Sequence, residues 1–201
     1  LYTQDSYVGP DIPVTTTQME SAWRGFNYVY LLVFQTDRTE DIKRILGPQA
    51  DELYNLHYAA DLATIEIVKN SGRDLFFAWY NRGTSLVNLG DYTGAASAFD
   101  EAYQIYPTLE EGERPWRIIW YQTEPYFAYY YTGRYYDVIN LATSTLSAMS
   151  EPVLEESYVW RARARAALGD TSGALEDLNL ALQYHPDYLP ALEELIRLGG
   201  R

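Results

Sequence analysis

The sequence contains no cysteine. That absence removes thiol nucleophiles, disulfides and thiolate metal sites together. Histidine is nearly as scarce: the 2 in the chain, His57 and His185, fall in different sequence units. No Ser-His-Asp set is arguable from so few, and no shared metal site either. Positive charge is also in short supply, with Lys+Arg 15 against Asp+Glu 28 and a net charge of -13. Such a surface repels phosphate backbones and anionic membranes, which argues against nucleic acid as a partner. Long apolar runs are missing too; the longest strongly apolar one, Tyr28–Phe34, is far too short to span a bilayer. There is no phosphate-binding loop and no dinucleotide fingerprint, so the sequence predicts neither a cofactor nor a metal.

What is present is an ordinary globular composition, 47% apolar and 21% charged, in a chain of 201 residues that can bury a real core. Aromatics are abundant, with Tyr 20 and Trp 5, as suits a surface built for packing and binding. No signal peptide is apparent, and the first residue is Leu1. The expectation is a processed or engineered product, or a piece of something longer.

Three stretches resemble one another: Leu89-Gly90-Asp91-Tyr92, Thr132-Gly133-Arg134-Tyr135 and Leu168-Gly169-Asp170-Thr171. Their glycines are 43 and 36 residues apart, close to the period of helical-hairpin arrays. Glycine ends one helix in a left-handed conformation and a polar residue opens the next. In the first unit, Trp79, Gly83 and Leu86 precede the turn, and Ala95, Phe99, Ala102 and Pro107 follow it. Small residues let two helices approach while large ones fill the space between hairpins. The third unit repeats the register with Tyr158, Ala162, Ala174, Leu178, Ala181 and Pro186, and Pro107 and Pro186 lie 79 residues apart, as Gly90 and Gly169 do. Position by position this resembles the tetratricopeptide repeat.

The second unit departs from the pattern. Its second helix keeps Val138, Ala142 and Leu146, but Pro125 falls inside its first helix and predicts a kink. The run Leu189–Leu198 reads as a capping helix. The fold class expected is mainly α: a helical-hairpin solenoid of about three hairpins plus a cap, preceded by a small α+β segment. Three parts are expected, an α+β segment over 1–46, a connecting helix over 47–75 and the array over 76–201.

Residues 1–75 are not repeat-like. A short helix is expected over Thr17–Arg24, a strand over Asn27–Phe34 from its β-branched and aromatic run, and a helix over Glu40–Leu46 capped by Thr39. Helical spacing then continues over Gln49–Asn70. The stretch Asp5-Ser6-Tyr7-Val8-Gly9-Pro10, with Met19–Asn27 and the strand to Phe34, is similar to the end of papain-like cysteine peptidases of the bacteriocin-processing kind. That resemblance covers roughly residues 1–46, implies a bacterial parent and places Asp5 where the family has the acid that orients its histidine; the compartment is left open, with a secreted or cell-surface location favoured over a cytoplasmic one. No cysteine exists here and neither histidine precedes Asp5, so no catalysis is expected from this chain.

The repeat register, carried over from tetratricopeptide arrays, implies a concave binding face. It would be lined by Tyr80, Thr84 and Asn88 from the first unit, Thr123, Phe127, Tyr130 and Tyr131 from the second, and Val159 and Arg163 from the third. Arg161 and Arg165 are expected to neutralise neighbouring acids such as Glu155, Glu156 or Asp177. The functional expectation is a non-catalytic module that binds a protein or peptide. Two alternatives are a structural subunit that self-assembles through residues 1–34, and the C-terminal part of a cysteine peptidase whose catalytic half is absent. An unpaired apolar strand at Asn27–Phe34 would draw a second copy or a partner onto its edge.

Overall fold

A computed structural model of the chain describes residues 2–5 and 9–199. Two short strands, β1 (Tyr2–Asp5) and β2 (Gly9–Pro13), open it as an antiparallel pair in which Thr3 faces Ile12 and Asp5 faces Gly9. Helix α1 (Thr16–Arg24) follows, begun by a reciprocal capping box between Thr15 and Gln18. Next come α2 (Thr39–Leu46) and the long α3 (Glu52–Lys69), whose N-terminus is capped by Asp51.

The rest is a succession of helical hairpins in which each turn glycine has positive φ. Helix α4 (Gly72–Asn88) turns at Gly90 (φ +79°) into α5 (Tyr92–Ile105), and Asp91 caps α5 through the Gly94 amide. Helix α6 (Ile118–Tyr121) and α7 (Glu124–Tyr131) lead through Gly133 into α8 (Tyr135–Ser147). Helix α9 (Glu155–Ala167) turns at Gly169 into α10 (Thr171–Tyr184), capped by Asp170 in the same way as α5, and α11 (Leu189–Arg197) ends the array. This is a tetratricopeptide-like helical-hairpin solenoid. None of the described helices is long and apolar enough to cross a membrane.

The core lies where hairpins stack. Phe76, Tyr80, Phe99, Tyr126 and Val138 are buried in one continuous cluster, and Leu178 anchors a second with Tyr158, Val159 and Ala191. Gly83 permits the closest contact, because a Cβ there would sit 2.6 Å from the Phe99 ring. Only glycine lets α4 and α5 approach so far.

Four expectations are corrected. Pro125 does not kink one helix; it separates two, standing in the first turn of α7 after a break at Gln122 and Thr123. Proline lacks the amide that would continue the ladder from α6, and its ring suits the opening turn of a new helix. Thr39 does not cap α2 but is its first residue, its hydroxyl donating back to the Thr36 carbonyl. Trp79 is only partly buried, and Tyr80 takes the fully enclosed place beside it. Asn27–Phe34 is not a strand. Asn27 and Tyr28 both take positive φ (51° and 54°), and residues 29–35 join no helix and pair with no strand among the described residues. The pairing of β1 goes to β2 instead.

Candidate functional site

An aromatic face forms where α7 meets α9. Phe127 and Tyr130 both lie against Trp160, with ring centroids 4.4 and 5.6 Å away. Trp160 is itself buried and forms the floor. Tyr130 meets Tyr131 edge-on, and Tyr131 stacks at 4.7 Å on Tyr92 from the start of α5. Tyr135 closes the other side of Tyr130 at 5.3 Å. Local sequence explains the assembly: three consecutive tyrosines end α7, so successive rings fan out over roughly 100° steps and reach both neighbouring hairpins.

Charge at this face is internally balanced. The Arg163 guanidinium lies 4.7 Å over the Trp160 ring and donates to Glu194 of α11 at 2.7 Å. Arg197 donates to the other oxygen of Glu194 at 2.6 Å. Burial alone would raise the Glu194 pKa, but the hydrogen bonds from Arg163 and Arg197 prevail and hold it below the usual carboxylate value. Burial and the neighbouring Tyr135 raise the Tyr130 hydroxyl. Neither the Tyr130 nor the Tyr131 hydroxyl has a hydrogen-bond partner within the described chain, and Tyr131 is 57% exposed. The result is a broad apolar surface with free polar tips and no unpaired charge of its own.

Of the nine residues assigned to a groove, four come together here: Phe127, Tyr130, Tyr131 and Arg163. Asn88 is exposed at the end of α4, with its amide spent on the Thr84 carbonyl. Thr123 sits at the break before α7, beside a separate pocket of about 310 Å³ with Glu155 and Glu156. The remaining three are withdrawn from the surface. Val159 joins the second core cluster beneath α11. Tyr80 is fully enclosed, its hydroxyl donating to the Gln122 carbonyl at 2.8 Å, and Thr84 is buried near it.

Tyr80 is enclosed by the core itself, its ring packed against Phe76, Phe99 and Tyr103, while the chain's turn at Gly25–Tyr28 covers the neighbouring positions of α4. Asn81 donates to the Arg24 carbonyl at 2.9 Å, and Asn27 donates to the Ser85 hydroxyl at 3.0 Å. Gln122 donates to the Gly25 carbonyl, while Phe26 lies edge-on to Tyr121. Of the first-hairpin register, Tyr80 and Thr84 are thus taken into the core and Asn88 stays exposed. Sequence reasoning missed Trp160, Tyr92, Tyr135 and Glu194 as parts of the face. Tyr92 and Tyr135 had a signal, since each follows a turn glycine and must lie beside the next helix pair.

Elsewhere, Asp177 receives Arg161 and Arg165, as their spacing suggested, whereas Glu155 pairs with His185 and not with an arginine. His57 is exposed on α3. Asp5 lies on β1 opposite Gly9, and its side chain is outside the described structure.

Residues 76–109 and 156–188 each match a family model. Both models describe the tetratricopeptide repeat. Among curated proteins, the chain is 24% identical to aryl-hydrocarbon-interacting protein-like 1 of Bos taurus over 156 residues, 73% of this chain and 44% of that protein. It is 27% identical over 128 residues to the Mus musculus protein of the same name, covering 59% of this chain and 38% of the relative. With the Pan paniscus counterpart it shares 24% over 175 residues, 83% of this chain and 40% of the relative. The chain therefore spans about two-fifths of the length of these relatives. No solved structure matches. These comparisons support a repeat array that engages proteins; they lend no support to the peptidase resemblance or to a bacterial source.

Proposed function

We infer that the array over 76–198 is a non-catalytic interaction module that takes an extended polypeptide segment across the face of Phe127, Tyr130, Tyr131 and Trp160. The observation that carries this is the pair of tyrosines with aromatic neighbours on one side, solvent on the other and hydroxyls without a protein partner. Rigid aromatic rings with polar tips give large contact area at low entropic cost, which is why they recur at interfaces. Because Arg163 is already matched by Glu194, recognition comes from apolar and aromatic side chains of the ligand and not from its charge. The two repeat matches and the relatives of the same repeat type are consistent with protein as the partner class.

The test is selection of linear peptides from a displayed library on the intact chain, followed by titration in low and high salt. Binding that persists in high salt and is lost in Tyr131→Ala supports this reading. Selected peptides that bind Tyr131→Ala and Tyr130→Ala as well as the parent chain overturn it.

A further inference from the structure

A second surface lies where the turn after α1 meets the start of α4 and the short helix α6. It shares no residue with the face built on Trp160. Phe26, Phe77, Ile118 and Tyr121 line a pocket of about 210 Å³ there, and Arg73 and Arg117 line the same pocket. The chain itself holds the pocket in shape: Gln122 donates to the Gly25 carbonyl, and Phe26 lies edge-on to Tyr121 at 6.1 Å. The aromatic surface runs on to Trp116, which carries the Arg117 guanidinium 4.3 Å over its ring. Phe26, Trp116 and Tyr121 are 51%, 46% and 66% exposed.

Charge sets this pocket off from the rest of the molecule. Among the described residues, Arg73 and Arg117 are the only arginines with neither an ion pair nor a hydrogen bond. Acids are not lacking nearby. Asp74, next to Arg73 in sequence, is taken by Arg24 at 2.6 Å. Glu110, Glu111 and Glu113 closely precede Arg117, yet they are exposed and pair with neither arginine. In a chain with Asp+Glu 28 against Lys+Arg 15, two arginines without a carboxylate at one pocket leave a demand for an anion unmet. Arginine's planar fork matches a carboxylate, and arginine among exposed aromatic rings is the composition of a protein interface. Two cations are too few to hold a phosphate backbone against a net charge of -13. The pocket is also smaller than the roughly 300–1,000 Å³ of small-molecule sites, and suits a single apolar side chain.

We propose that this pocket is a second docking site, which takes an acidic segment of a partner polypeptide. One apolar side chain enters between Phe26, Phe77 and Tyr121, and carboxylates beside it in sequence reach Arg73 and Arg117. The site is independent of the repeat face and differs from it in kind, because here charge contributes to recognition.

NMR of the backbone amides and arginine side chains of the intact chain, titrated with the acetylated and amidated peptide Gly-Asp-Phe-Asp-Gly, tests this. The expected result is saturable shifts at Arg73, Arg117 and Gln122, with the Trp160 face unmoved and the affinity falling in high salt. Peptides with Asn in place of both acids, or Gly in place of the central Phe, should bind about tenfold more weakly or worse. Arg73→Gln and Arg117→Gln should each weaken the acidic peptide by about threefold or more, with an unchanged melting temperature because both side chains are exposed. Tyr131→Ala should bind it like the parent. Absence of saturable shifts up to about 10 mM peptide overturns the proposal. So do equal binding of the Asn peptide, equal binding by both glutamine variants, or shifts confined to the Trp160 face. Inorganic phosphate that alone reproduces the shifts at the same affinity would make this a bare anion site, and overturns it as well.

Discussion

Asp177 is 1% exposed and receives Arg161 side-on, through two hydrogen bonds of 2.6 and 3.0 Å. Arg165 adds a third contact at 2.9 Å, so one carboxylate on α10 ties down two arginines of α9. Removing one member of a buried pair strands the others without solvation. Asp177→Ala should therefore cost about 3–5 kcal/mol. The pairing of Arg134, at the start of α8, with Asp100 of α5 is more than a third exposed on both sides, and Asp100→Ala should cost about 1 kcal/mol or less. Urea denaturation of the two variants compares them directly; equal losses would mean that burial does not govern these pairs.

Stacking of the first hairpin depends on Phe99 and Gly83. Phe99 is fully buried between α4 and α5, and Phe99→Ala should cost about 3–5 kcal/mol. Gly83→Ala puts a methyl group 2.6 Å from that ring, in a place already filled, and should cost about 1–3 kcal/mol. In the double variant the two losses should fall short of adding, because removing the ring makes room for the methyl. Strict additivity would contradict the contact.

Glu124 offers a pH test. Burial raises its carboxyl above the ordinary value, with Glu156 adding repulsion, and its Oε2 has no hydrogen-bond partner. A carboxyl with a raised folded-state pKa is held more tightly as the acid in the folded chain. Stability from this group is thus present at low pH and is lost as pH rises past the unfolded-state value. Glu124→Gln should melt higher than the parent at pH 7, and the gap should close by about pH 4, where both forms are neutral. A variant that melts lower at pH 7 would show that the charge is satisfied.

Legibility in the sequence followed the range of the interactions. Gly90, Gly133 and Gly169 announced the hairpin turns because a left-handed turn is a local demand that one residue type meets best. Asp91 and Asp170 were legible as caps for the same reason. Phe99 and Leu178 were legible as core because the repeat register places them between hairpins. Tyr80 and Thr84 were assigned to a groove on that same register, yet both are buried, Tyr80 packing against Phe99 and Tyr103 and donating to the carbonyl of Gln122 in the break before α7. No local pattern carries that information.

Asn27–Phe34 shows the opposite limit. Its composition called for a strand, and from Val29 to Phe34 the exposure alternates from residue to residue as strand composition implies, yet no strand forms. Pairing is a property of two segments, however, and β1 had already found β2. The face built on Trp160 was half legible: the tyrosine cluster pointed to it, whereas the floor and the Arg163–Glu194 pair come from helices met only in three dimensions.

Binding and stability can be separated at Tyr130 and Tyr131, and one titration does so. A library-selected peptide is titrated by calorimetry into the parent chain, Tyr130→Ala and Tyr131→Ala, with urea denaturation of each variant run alongside. The expected result is affinity weakened by about tenfold or more in both variants, with a stability loss for the exposed Tyr131→Ala of about 1 kcal/mol or less. Undiminished affinity in both variants, or a loss of stability in Tyr131→Ala as large as that of Phe99→Ala, would contradict a binding role for this face.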